Sequence, residues 1–356
     1  MLWRIASVAS RCMTLSAMDD SDDRGSPGRS CPPDYRYDTA TFARPVDLEA
    51  STLYVVGGLY GNRPALDAIE LMASLEGAVL VFNGDFHWFD RNSAIFSQVD
   101  SRVRRHHALR GNVETELSRM RGLDAGCGCA YPPEVAQQTV DRSNAILREL
   151  RRAAAKSGRQ AALAALPMTL VAQVGRLRVG IVHGDCESLA GWRFSADALD
   201  RPDTPAWLEQ VRRQSRIDLF ASSHTCLPGM RSFDLPSGPL VVANNGAAGM
   251  PNFARTTYGV VTRIGIKPSH RCPLHRIRLR GAYIEAIALD FDYLHWHWEF
   301  LSQWPSGSDA WLSYGARIVD GPDYLPAQAY PGTGSLVMPC KRGSPDSTNG
   351  REGRCV

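Results

Sequence analysis

Residues Val79–Asp90 read Val-Leu-Val-Phe-Asn-Gly-Asp-Phe-His-Trp-Phe-Asp, and this stretch decides the fold. Val79 to Phe82 is an unbroken apolar run, the pattern of a strand covered on both faces. Asn83-Gly84 is a turn signal. Asp85 then stands at the carboxyl end of a core strand, where open α/β sheets place their chemistry. Taken alone, an aspartate there reads equally well as a turn residue that caps its own backbone.

The arrangement recurs. Leu177 to Val182 is a second apolar run and ends in His183-Gly184-Asp185. Ile217 to Ala221 is a third and ends in Ser222-Ser223-His224-Thr225-Cys226. Between the first and second runs lies Leu109-Arg110-Gly111-Asn112-Val113-Glu114. Four strand ends thus deliver Asp85, Asn112, His183 and His224. One carboxylate, one amide oxygen and two imidazoles form a coherent shell for a divalent transition metal.

This ordered set resembles the calcineurin-like metallophosphoesterase superfamily, whose blocks run D-x-H, G-D-x-x-D, G-N-H-[DE], a strand ending in H, and G-H-x-H. The matching stretches are Gly58-Leu59-Tyr60-Gly61-Asn62, Gly84-Asp85, Gly111-Asn112-Val113-Glu114, Val182-His183-Gly184-Asp185 and Ser223-His224-Thr225-Cys226. They span roughly residues 50 to 265. The resemblance implies an α/β fold, a four-layer α/β/β/α sandwich of two mixed sheets. It further implies a hydrolase that opens phosphate esters with metal-activated water. Asp85, Asn112, His183 and His224 would be the metal ligands, with Asp85, Asn112 and His183 in the catalytic role.

The departures from the pattern are specific. The aspartate and histidine of the first block are replaced by Gly58 and Tyr60. Glycine has no side chain, and a phenol with an unperturbed pKa of about 10 is a poor ligand. Trp88 stands where the second block has its second carboxylate. His87 reads either as a substitute ligand or as a packed loop histidine. Val113 replaces the histidine that often protonates the leaving group, help worth about 10²–10⁴ in rate. Esters with poor leaving groups lose most, so a diester is expected over an alkyl monoester. Cys226 replaces the last histidine, either as a thiolate ligand or as a buried neutral thiol. Asp185 is a further candidate. The expectation is one firmly bound ion, manganese, iron or zinc, with a doubtful second site. The alternative is a pseudo-phosphoesterase, a nucleotide- or protein-binding module without turnover.

Around this core, the turn at Gly61-Asn62 leads into a helix from Arg63 to about Leu75 and suits a phosphate on the helix N-terminus. Asn244 and Asn245 open a Gly-rich loop after the strand Leu240–Ala243 and are candidate substrate contacts. Arg110 or Arg193 could neutralise phosphate. Gly126 to Pro133 reads as a loop on the pocket rim, followed by a helix to about Lys156. Thr169–Val174 and Leu177–Val182 read as a hairpin. His295-Trp296-His297-Trp298 alternates like an edge strand. Residues 1–47 and 326–356, rich in Pro, Gly, Ser and charge, are expected as disordered tails around a single domain, 48–325.

The chain has 356 residues, 44% hydrophobic and 22% charged, ordinary for a globular protein. A net charge of +3 argues neither for nor against nucleic acid. The Arg- and His-rich run Ser101 to Arg110 reads as a solvated surface. Nine cysteines at irregular spacing do not form a disulfide framework, which points to a reducing cytoplasm. No membrane span is expected. The expected partner is a small phosphate ester.

Overall fold

The computed structural model describes residues 26–119 and 125–332. The strands in chain order are β1 (Leu48–Ala50), β2 (Thr52–Val56), β3 (Val79–Asn83), β4 (His107–Leu109), β5 (Thr169–Val174), β6 (Leu177–Val182), β7 (Leu219–Ser222), β8 (Pro228–Leu235), β9 (Gly238–Asn245), β10 (Gly259–Gly265), β11 (His275–Leu279) and β12 (Ala282–Leu289). They form two six-stranded mixed sheets, β1-β5-β6-β7-β9-β8 and β11-β12-β10-β2-β3-β4. The helices are α1 (Arg63–Glu76), α2 (Ser93–Val103), α3 (Asn112–Ser118), α4 (Gln137–Ser157), α5 (Gln160–Ala164), α6 (Ala196–Leu199), α7 (Thr204–Ser215), α8 (Tyr293–Gln303), α9 (Asp309–Asp320) and α10 (Pro326–Ala329).

Side-chain alternation explains the layers, because successive residues of a strand face opposite sides of the sheet. Leu53, Val55 and Val81 pack with Val179, Ile181, Leu219 and Val241 between the two sheets. Their neighbours Tyr54, Val56, Leu80 and Phe82 join Leu66, Ile69, Phe96, Leu150 and Phe300 of the helices. On the outer face of the other sheet, Phe220 and Val242 pack with Leu208 and Val211 of α7 and with Phe42. The order is therefore α/β/β/α. The apolar runs carry no polar alternation because both of their faces are covered.

Two parallel strand pairs aim their carboxyl ends at one place. β3 pairs with β4 in register Asn83 to Leu109, and β6 with β7 in register Ile181 to Ala221. Each sheet therefore contributes two of the four residues singled out by sequence.

Three expectations are corrected. Residues 26–47 are not a free tail. They carry two short 3₁₀ turns, Pro33–Tyr35 and Thr39–Ala43, with Tyr35 and Phe42 fully buried. Their polar composition conceals a few large apolar side chains that anchor them. Phe42 lies edge-on to Phe220 at 5.3 Å between ring centres. Phe42→Leu is expected to cost about 1–2 kcal/mol in chemical denaturation; a detached tail would show no change. At the other end, α10 and the buried Tyr330 carry ordered structure past residue 325. The rest of both expected tails, 1–25 and 333–356, lies outside the described residues. Third, His295 to Trp298 belongs to helix α8. Asp292 caps it, and Trp296, Glu299, Phe300 and Gln303 form its inward face at helical spacing. No described helix is long and apolar enough to cross a membrane. Cys31, Cys127, Cys129, Cys186 and Cys226 are free thiols.

Candidate metal centre

Asp85 follows β3 in a left-handed conformation, φ +53°. That region costs an L-residue roughly 1–2 kcal/mol, least for Asp and Asn. Glu114, fully buried in the first turn of α3, offsets the cost. Its carboxylate accepts from the backbone N–H of Asp85 (2.8 Å), Phe86 (3.0 Å), His87 (3.3 Å) and Gly111 (2.9 Å). One side chain thereby clips the Asp85 loop to the Asn112 loop. Burial, and then the Asp85 charge, push the Glu114 carboxyl pKa up. Gly111 permits the approach: a Cβ there would lie 2.4 Å from Asp85 Oδ1 and 2.9 Å from His183 Cε1. Sequence reading gave Glu114 no role. Its signal was an acid three residues after a helix-starting glycine.

The four residues converge. His183 Nε2 lies 3.0 Å from Asn112 Oδ1, 3.0 Å from His224 Nδ1 and 3.4 Å from Asp85 Oδ1. The ligand atoms of Asp85, His183 and His224 all fall within 4.8 Å of one another. The outer contacts fix what each group presents. His183 Nδ1 donates to Asn83 O at 2.9 Å, and His224 Nε2 donates to Cys129 O at 3.1 Å. Asn112 Nδ2 donates to Cys127 O at 3.0 Å. The remaining nitrogen of each neutral imidazole is then a lone pair, as are Asn112 Oδ1 and Asp85 Oδ1. Four acceptors face one another, and the neutral set holds no hydrogen to place between them.

Such a cluster draws in positive charge. Burial pushes the Asp85 pKa up, but His183 beside it holds the net shift below the usual carboxylate range. Burial pushes His183 down, but Asp85 carries it above the usual imidazole value. Burial, and then His183, drive His224 down to about 3. A proton on His183 Nε2 can serve one acceptor at a time, whereas a cation can serve all four. Acceptor separations near 3.0 Å suit metal–ligand bonds of about 2.1 Å. The donor set fits a divalent transition ion.

The loop at residues 126–133 rims this cluster, as expected from sequence. Cys129 O also accepts from Trp192 Nε1 at 3.0 Å, and the Trp192 ring lies 5.3 Å from that of His224. Trp192 sits on the loop after His183, which the N-terminal segment fastens: Tyr37 OH donates to Asp185 O at 2.6 Å.

The other sequence candidates are engaged by other partners. His87 is fully buried, its Nδ1 on Asp90 Oδ2 at 2.7 Å and its ring stacked on Phe96 at 3.7 Å. Asp185 turns its carboxylate onto the backbone N–H of Glu187, Ser188 and Arg193, where burial raises its pKa to about 6. Asn244 is used by Phe194 O, Thr225 Oγ1 and Gly246 N–H. Asn245 donates to Gly57 O and Val260 O. Asn62 caps α1 through Ala65 N–H and donates to Gly249 O, and Gly61 N–H bonds Phe86 O. These amides hold loops together and are buried. Arg110 donates to Ala164 O. Arg193 lies over the Trp207 ring at 3.6 Å.

No family model matches the chain, and no curated protein matches it. Solved structures do. A hypothetical protein from Pyrococcus horikoshii OT3 superposes with a TM-score of 0.52 at 16% identity, over 78% of this chain and 100% of that one. A metallophosphoesterase from Sphaerobacter thermophilus superposes with a TM-score of 0.47 at 13% identity, over 77% of this chain and 100% of that one. At such identities the likeness concerns the fold. The chain shares its two-sheet α/β/β/α fold with the Pyrococcus horikoshii protein.

The positions that depart from the resembled pattern have their own packing. Tyr60 folds over Gly58, so that a Cβ on Gly58 would meet Tyr60 Cζ and OH at 3.0 Å. The Tyr60 hydroxyl lies 3.0 Å from Cys226 Sγ. Burial pushes both groups up, the phenol well above 10, so both are neutral. Trp88 is buried, its ring 6.4 Å from that of Tyr314. The four positions that depart from the resembled pattern, Gly58, Tyr60, Trp88 and Cys226, are thus uncharged and packed. Cys226 joins Tyr60 and stands apart from the Asp85–His183–His224 group.

Proposed function

We propose that this protein is a metal-dependent phosphoesterase working with one divalent ion, manganese, iron or zinc, held by Asp85, Asn112, His183 and His224. The supporting observation is the set of four convergent acceptors, with the second polar atom of both histidines and of Asn112 fixed by a backbone carbonyl. Such outer contacts set the tautomer of metal-binding histidines. Asp85, Asn112, His183 and His224 would hold a divalent ion, which would supply Lewis-acid polarisation of a phosphoryl oxygen and a bound water whose pKa falls to about 7 in favourable sites. The protein orients the reacting groups and excludes water: Glu114 fixes the Asp85 loop, and Trp192 covers His224. Val113 has no proton to give a leaving group. A diester with a good leaving group is therefore the preferred substrate, and a simple alkyl monoester the poorest.

The test is hydrolysis of a chromogenic diester and a chromogenic monoester, with and without added manganese. Metal-dependent diester turnover is expected, with the diester ahead in kcat/KM. The filled cluster at Tyr60 and Cys226 keeps a second reading in view, a module that binds a phosphate compound without turnover. Tight metal binding with no hydrolysis of either ester would establish that one instead.

A further inference from the structure

A guanidinium borders the filled half of the site. Arg317, on α9, donates from Nη2 to Cys226 O at 2.7 Å and from Nε to Pro251 O at 3.0 Å. Cys226 in turn lies two residues beyond His224, whose carbonyl its thiol contacts at 3.4 Å. Among the described residues, no carboxylate lies within ion-pair distance of Arg317, whereas Arg63, Arg102, Arg104, Arg119, Arg231 and Arg263 all have one. Both fastened atoms bond neutral carbonyls, so the charge is positioned and not neutralised. Arg317 and Cys226 are half-buried, as are Trp192 and Tyr131, which form the rim over His224.

We propose that Arg317 binds the phosphoryl oxygens of the substrate, its guanidinium supplying positive charge on the side where Gly58, Tyr60 and Cys226 leave no ligands for a second ion. The proposal deepens the phosphoesterase reading and rests on the same site. A guanidinium is planar, permanently charged and weakly hydrated, and it meets phosphate oxygens through charge-assisted hydrogen bonds. Nη1 and the second hydrogen of Nη2 remain for that purpose. Unlike an ion, the guanidinium activates no water, so its contribution is to binding and orientation.

The probe is inorganic phosphate, added to the metal-loaded full-length protein as a binding ligand and as a competitive inhibitor. Arg317→Gln keeps a donor for the Cys226 and Pro251 carbonyls and removes the charge. It is expected to weaken phosphate about 10–100-fold, the range for a lost hydrogen bond to a charged group, and to raise KM more than it lowers kcat. Arg317→Lys should recover part of the affinity. Ions per chain and thermal midpoint should stay at the wild-type values in both variants. Wild-type phosphate affinity in Arg317→Gln, with the metal in place, would overturn the proposal, as would a metal-loaded wild type that binds no phosphate. The two readings separate cleanly. Arg317-dependent phosphate binding without ester turnover sustains this proposal and defeats the phosphoesterase. Metal-dependent turnover with unchanged phosphate affinity in Arg317→Gln does the reverse.

Discussion

Asp85→Asn is expected to lower ester hydrolysis by about 10³-fold while leaving the protein folded. The substitution removes the one carboxylate of the acceptor cluster and with it the negative charge that balances a buried cation. Losing a single preorganised electrostatic partner of the reacting charge costs on the order of 10²–10³ in rate, and Asp85 also anchors the ion. The fold should survive because asparagine tolerates the left-handed backbone at φ +53° as well as aspartate does. The four N–H groups that close the two loops bond Glu114 and are untouched. The N–H of Val113, 3.2 Å from Asp85 Oδ1, still finds an oxygen. Steady-state kinetics beside a thermal melt separates the effects. Turnover near the wild-type level in Asp85→Asn would remove this residue from the mechanism.

The second large effect concerns stability. His87 is fully buried against Asp90, with Asp100 3.8 Å away on its other side. Burial alone would push the imidazole pKa down; Asp90 and Asp100 outweigh it and raise the value from 6.5 to about 9. The folded state therefore binds this proton more tightly than the unfolded chain. Its contribution is fully present below about pH 6.5 and is lost as pH rises through about 9. At about 1.4 kcal/mol for each tenfold change, the contribution is about 3 kcal/mol. Denaturant titrations should show stability falling by about that amount between pH 6.5 and 9. His87→Phe should lower stability at pH 6 by a similar amount, because Asp90 is left buried without its partner, and should flatten the profile. A wild-type profile that is already flat over that range would show that His87 is not held charged.

The four acceptors were legible because each depends on local pattern. A run such as Val79–Phe82 can only be a covered strand, and the first polar residues past its turn stand at the strand's end. Asn112 was harder, since β4 is only three residues long, but Gly111-Asn112 still marked the break. The amides were misread for a physical reason. Asn62, Asn244 and Asn245 sit in Gly-rich loops, and sequence does not say whether such an amide faces a ligand or the neighbouring backbone. Here the loops are packed, and buried backbone groups need partners, so the amides are consumed internally. His87 has ligand spacing from Asp85, but Asp90, three residues on, claims its ring. In α8 the His-Trp-His-Trp alternation imitates a strand, while the inward face repeats at three and four residues. Tyr35 and Phe42 were hidden by polar neighbours. Glu114 and Arg317 act through contacts that only the assembled sheets and helices create. Arg317 in particular reaches Cys226 from 91 positions away along the chain.

The central claim is that Asp85, Asn112, His183 and His224 hold one cation together. The direct measurement is metal content per chain after loading with manganese, iron or zinc and removal of weakly bound ions, in the wild type and in Asp85→Asn, His183→Ala and His224→Ala. The expected result is one ion per wild-type chain and a large loss of affinity in every variant. No retained ion in the wild type, or an ion held equally well by all three variants, would contradict it.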